Sequence, residues 1–162
     1  MIGPTGSKWG TTTALANVNT DIVTNFVATP QVKNDSQQLH GVKRIAQGTI
    51  ALAAGDLSAT DTVMLAPIPT NASISSIKLF NDDLDSGTTM TTDVGLYTTA
   101  IVAVDDDAYA SAITDLRGAV TTGTEVAFEA RDINKCGQKV WEDAGQSSDP
   151  GGYYYIGLLF DA

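Results

Sequence analysis

Residues 1–40 hold too few apolar side chains to build a core, while the rest of the chain holds enough. That asymmetry restricts the fold to one compact module with an appended arm. From Met1 to His40 the sequence is polar and rich in Thr, Asn and Gly, and its charged side chains are Lys8, Asp21, Lys33 and Asp35. Trp9, Leu15, Val18, Ile22, Phe26, Val32 and Leu39 are among its thinly spread apolar residues. Ordering an extended segment costs of order 1–2 kcal/mol per residue, which so sparse a segment does not recover alone. The reading is an extended N-terminal arm, residues 1–40, joined to a β domain, residues 41–162. Trp9, Leu15, Val18, Ile22, Phe26 and Val32 are the arm's candidate partner contacts. The competing reading packs the arm on its own module as an extra edge strand.

Charge divides along the same line. The arm sums to zero, so the net charge of −10 lies wholly on residues 41–162. So acidic a module repels phosphate backbones, which argues against nucleic acid as a partner. High net charge also discourages self-association and keeps a protein soluble. The 162 residues suit a single domain burying roughly 70% of its unfolded surface. No apolar run approaches the ~20 residues that span a bilayer, and the start of the chain lacks the basic and apolar regions of a signal peptide. The single Cys136 excludes an internal disulfide framework and fits a reducing cytoplasm.

Past Lys43 the pattern is that of short strands. Ile45 and Gln47 share one phase and Ile50 and Leu52 the other, with Gly48 where the phase flips, as at a β-bulge. Further strands are expected at Thr62–Ala66, closed by Pro67 and Pro69; at Ser73–Phe80; at Asp93–Tyr97; at Ile101–Val104; and at Glu125–Phe128. Asp105-Asp106-Asp107 reads as the cap of a helix whose stripe is Tyr109, Ile113 and Leu116, ending at Gly118. Gln138–Ala144 reads as one or two helical turns stopped by Gly145, with Trp141 as a core plug. After the turn Asp149-Pro150-Gly151-Gly152, Tyr154, Ile156, Leu158 and Phe160 alternate with Tyr153, Tyr155, Gly157 and Leu159. Both faces of that strand are apolar or aromatic, which places it centrally. The fold class is all-β: a β-sandwich of jelly-roll type with one or two short connecting helices.

Motifs for chemistry are missing. One His40, at the junction of arm and module, and one Cys136 supply neither a metal-spaced His pair nor an activated nucleophile, and no phosphate loop occurs. No catalytic residue, metal ligand or cofactor is assigned, and the protein is not read as an enzyme. The loop Asn81, Asp82, Asp83, Asp85, Gly87 superficially matches a calcium loop, but from Asp83 the twelfth residue is Val94, where a bidentate Glu belongs. Consecutive strand residues face opposite ways, so of the three tyrosines only Tyr153 and Tyr155 share a surface. They are a possible subunit interface, or a sugar-stacking platform.

Ser73-Ile-Ser-Ser-Ile-Lys-Leu-Phe-Asn-Asp-Asp83 with Asp93-Val-Gly-Leu-Tyr97 resembles virion structural proteins of tailed bacteriophages. So does Ile133-Asn-Lys-Cys-Gly-Gln-Lys-Val-Trp-Glu142, running on to Ser148-Asp-Pro-Gly-Gly-Tyr-Tyr-Tyr155. The resemblance covers about residues 41–160, rests on turns and strands, and is nearest to head cement or decoration proteins of jelly-roll type. It implies a non-enzymatic protein made in the host cytoplasm that sits on the outer surface of the capsid and clamps adjacent capsomers. It further implies a dimer or trimer, an HK97-like major capsid protein as partner, and no membrane or small-molecule substrate. The alternative is a carbohydrate-binding or adhesion β-sandwich module of a phage tail or fibre.

Overall fold

The computed structural model describes residues 20–33, 41–52, 58–85 and 87–161. The chain divides into two units, Met1–Lys43 and Arg44–Ala162. Trp9, Leu15, Val18, Leu39 and His40 lie outside the described residues.

In the first unit, Asp21–Val27 form a short helix, α1, where sequence predicts an extended segment. The Thr20 hydroxyl caps it by accepting from the Val23 amide at 3.5 Å, and Thr24 donates its hydroxyl to the Thr20 carbonyl at 2.9 Å. Ala28 is back in extended backbone, as befits a helix stopped two residues before Pro30. Behind the helix the Gln31 side-chain amide donates to the Phe26 carbonyl at 3.2 Å and the Val32 amide to the Asn25 carbonyl at 3.2 Å, satisfying groups a helix end leaves open.

The second unit is built of antiparallel strands with few short helices. Its strands are β1 (Thr62–Pro69), β2 (Lys78–Asn81), β3 (Thr91–Tyr97), β4 (Ala103–Ile113), β5 (Val120–Glu125) and β6 (Tyr153–Asp161). A 3₁₀ turn at Ile133–Lys135 and α2 (Val140–Asp143) lie between β5 and β6. One sheet has the order β1-β6-β3-β4, and β2 pairs with β5 in the other. Both sheets feed one core: Leu79 from β2, Val94 and Leu96 from β3, Tyr109 and Ile113 from β4, Ile156, Leu158 and Phe160 from β6, closed by Leu116, Val126 and Val140 from connections.

Local expectation and structure agree at β6, which is central and sends Ile156, Leu158 and Phe160 into the core. The turn before it is set by Asp149, whose carboxylate accepts from the Thr70 hydroxyl at 2.6 Å and the Gly151 amide at 2.8 Å. Gly151 and Gly152 there adopt φ of +73° and +82°, which side chains disfavour. β1 continues through Pro67 and Pro69 instead of stopping before them; as an edge strand it bonds only β6, so missing amide donors are tolerated. Val140 is the fully buried residue of α2, while Trp141 is only half-buried.

Of the expected strand Ser73–Phe80 only Lys78–Phe80 is strand, at the start of β2, and of Ile101–Val104 only the last two residues are, at the start of β4; three further elements differ more. Asp105–Ile113 is strand, because pairing with β3 outweighs a stripe whose i, i+4 spacing suits either period. The ladder is irregular there, and three β3 residues, Val94 to Leu96, stand opposite the six from Asp105 to Ala110. Glu125–Phe128 is not a strand; β5 precedes it over the polar Val120–Glu125, and Val126 and Ala127 are buried in the turn that follows. Residues 44–52 join neither sheet. Gly48 lies against the edge of β1, where a Cβ would stand 3.1 Å from the Leu65 carbonyl oxygen, but that edge carries two prolines and a bulge between Met64 and Ala66.

Candidate partner-binding surfaces

Of the arm residues singled out by sequence, Ile22, Phe26 and Val32 are described. Ile22 is half-buried, Phe26 is 64% exposed and Val32 is also exposed. Helical geometry joins two residues that sequence reading as an extended segment missed: Val23 and Val27, four apart like Ile22 and Phe26, are exposed beside them. The i, i+4 repeat of two apolar pairs was the available signal. Together they give α1 an uncovered apolar face.

Tyr153 and Tyr155 do share the sheet face turned away from the core, while Tyr154 packs against it. Tyr153 is 57% exposed and pairs with Pro69, whereas Tyr155 is half-buried between Pro67 and Tyr97. Tyr97 closes over the strand beside it: a Cβ at Gly157 would stand 2.6 Å from its ring. Its hydroxyl is buried with no hydrogen-bond partner among the described residues. Burial first, then the charges of Asp106 and Asp93, push that phenol up to about 12.

A polar cluster invisible in the sequence lies at the other side of β4. Arg131, almost wholly buried, is 3.1 Å from Asp143, and it donates to the carbonyls of Ile74 (3.0 Å) and Lys135 (2.6 Å). Its guanidinium stacks over Phe128 and Tyr109, at 5.1 and 5.7 Å from the ring centres. The Tyr109 hydroxyl donates to Asp143 at 3.1 Å. Burial pushes Asp143 up despite Arg131. A cleft of about 250 Å³ opens beside it, lined by Asp105, Asp107, Arg131, Lys135 and Asp143 among others. Nη1 and Nη2 of Arg131 hold the Ile74 and Lys135 carbonyls and Nη2 also faces Asp143, which makes the cluster a structural clasp.

Asp105, Asp106 and Asp107 do not cap a helix. The irregularity of β4 brings carboxylate oxygens of all three within 4.8 Å of one another. Burial, then Asp107 as hydrogen-bond partner and like charge, push Asp105 up. In the loop after β2, Asp85 accepts from the Gly87 amide at 2.7 Å and the Met90 amide at 3.1 Å, and those bonds hold its carboxyl below the usual range. That carboxylate organises its own turn. Cys136 is exposed. No helix among the described residues is long and apolar enough to cross a membrane.

Comparison of the chain with protein-family models, curated proteins and solved structures found no match.

Proposed function

We propose that this chain is a non-enzymatic virion structural protein, a cement or decoration protein that grips the outside of a tailed-phage capsid. On this reading the antiparallel sheets belong to a sandwich of jelly-roll type, the N-terminal segment is the grip, and an HK97-like major capsid protein is what it grips. The observation that carries the reading is the apolar face of α1, on which Val23, Phe26 and Val27 are uncovered. Burying a side chain of this size is worth roughly 1.5–3 kcal/mol, so each such contact is weak against the cost of ordering an arm. A closed shell repeats the contact many times, and multivalency turns weak single contacts into lasting occupancy. The sequence resemblance in Ser73–Tyr97 and Ile133–Tyr155 supports the same assignment. The acidic module then faces solvent, and the shell surface it approaches is neutral or basic.

The test is occupancy. Removing residues 1–30 is expected to abolish copurification with icosahedral particles, and Phe26→Ala to weaken it; undiminished occupancy after the deletion refutes the assignment. The glycan-binding alternative is disfavoured by the half-burial of Tyr155, which leaves Tyr153 as the one fully exposed tyrosine of that pair. Sugar binding lost on Tyr153→Ala would reverse that judgement.

A further inference from the structure

Residues 41–51 are the longest wholly exposed run among the described residues, with Val42 and Ile45 at 89% and 83%. They belong to no helix or strand, and among the described residues none of their backbone amides or carbonyls is hydrogen-bonded. Near the start of the run stand two consecutive cations, Lys43 and Arg44, followed by Ile45. Residues 36–55 contain no acidic side chain and no proline. An endopeptidase needs its substrate as exposed, unbonded backbone, so where a chain is nicked follows from burial and hydrogen bonding.

The other basic residues of the β domain are withheld by the structure around them. Lys78 lies in β2 opposite Glu125. The Arg117 amide donates to the Thr114 carbonyl at 3.2 Å, and the Arg117 carbonyl accepts from the amides of Leu84 and Asp85. Arg131 is buried, with 2% of its side chain exposed. Lys135 belongs to the 3₁₀ turn, its amide donating to the Asp132 carbonyl at 2.9 Å. At the start of α2 the Lys139 carbonyl accepts from the amides of Glu142 and Asp143. A protease reaches such bonds only when the structure opens, and the free energy of opening sets the rate. Lys43 and Arg44 need no opening.

We propose that the Arg44–Ile45 bond is a processing site for a trypsin-like endopeptidase, one whose specificity pocket carries a carboxylate for a Lys or Arg side chain. Lys43 offers the same chemistry one bond earlier. The step is hydrolysis: the oxygen of water enters the new Arg44 carboxylate, and its two protons leave with the Ile45 nitrogen as an ammonium. The cut removes nothing that the β domain packs, since its buried core begins at Ile74 and the half-buried residues against that core begin at Val63. Gly48, beside the Leu65 carbonyl, stays with the β domain. Processing therefore separates the N-terminal segment from a module that remains folded. The site belongs to the free chain and does not depend on the capsid assignment.

Brief exposure of the folded full-length protein to trypsin tests it, read by intact mass and N-terminal sequencing. The stable product is expected to begin at Arg44 or Ile45 and to keep the cooperative melt of the uncut protein. It should form about a hundredfold faster than any cut after Lys78, Arg117, Arg131, Lys135 or Lys139. In K43Q/R44Q, whose changes fall on exposed residues, the product is expected to begin at Asn34 or earlier, with melting unchanged. Equally fast cuts within residues 78–139, a product without a cooperative melt, or survival of the bonds after Lys43 and Arg44 overturns the proposal.

Discussion

The guanidinium of Arg131 stands 3.1 Å from the carboxylate of Asp143, with 2% and 3% of the two side chains left exposed. Desolvating both groups is costly, and only the full set of partners offsets it. Removing one partner strands the other charge. Asp143→Ala is expected to destabilise the protein by about 3–5 kcal/mol. A paired Arg131→Met, Asp143→Leu variant should lose less than either single change. Denaturant unfolding of the three variants measures this.

Gly95 is crossed by the backbone of β4: a Cβ there would stand 2.2 Å from the Asp105 carbonyl oxygen and from the Asp106 carbonyl carbon. Backbone cannot step aside as a side chain can. Gly95→Ala should cost about 3 kcal/mol or more. Gly157→Ala, which meets the Tyr97 ring and the Met64 methyl, should cost about 1–3 kcal/mol. Thermal melting ranks the two, and the reverse order would count against the bulged path of β4.

Tyr97→Phe removes a buried hydroxyl that has no hydrogen-bond partner among the described residues. A gain of about 1 kcal/mol at neutral pH is expected. The phenol is raised from 10.0 to about 12 in the folded protein. Its contribution is therefore complete below pH 10 and lost as pH climbs towards 12, because the unfolded chain ionises first. The Phe variant should lack that part of the alkaline decline, read from melts between pH 9 and 12.

Glu125 ties the β5 end to the segment that leads into β2. Burial works against its charge, but the Ser76 hydroxyl and the amides of Ile77 (2.8 Å) and Ala127 (3.1 Å) outweigh it and lower its pKa below 4.5. A lowered acid stabilises above its unfolded value, and that stability disappears as pH falls through the folded one. Glu125→Gln should cost about 1 kcal/mol at pH 7 and nothing at pH 2, since the group is largely exposed. Unfolding at the two values decides it.

How far the chain could be read without its structure depends on where each signal resides. The alternation of Tyr153–Phe160, the turn held by Asp149 and its glycines, and the end of α2 at Gly145, whose φ is +67°, rest on neighbours in sequence. The antiparallel all-β class follows from many such segments together. Partner-dependent features were not legible. Tyr109 and Ile113 fit a helix stripe and a strand face equally, and only β3 decided between them. Residues 44–52 alternate like a strand, yet the adjacent edge, with its prolines and bulge, gave them no ladder. Arg131 carries no local mark of burial; it is buried because Asp143, Ile74 and Lys135 come to it from elsewhere in the chain. Periodicity is a property of a segment and is written in it. Pairing and the burial of charge are free energies shared between segments, and those only the tertiary structure could assign.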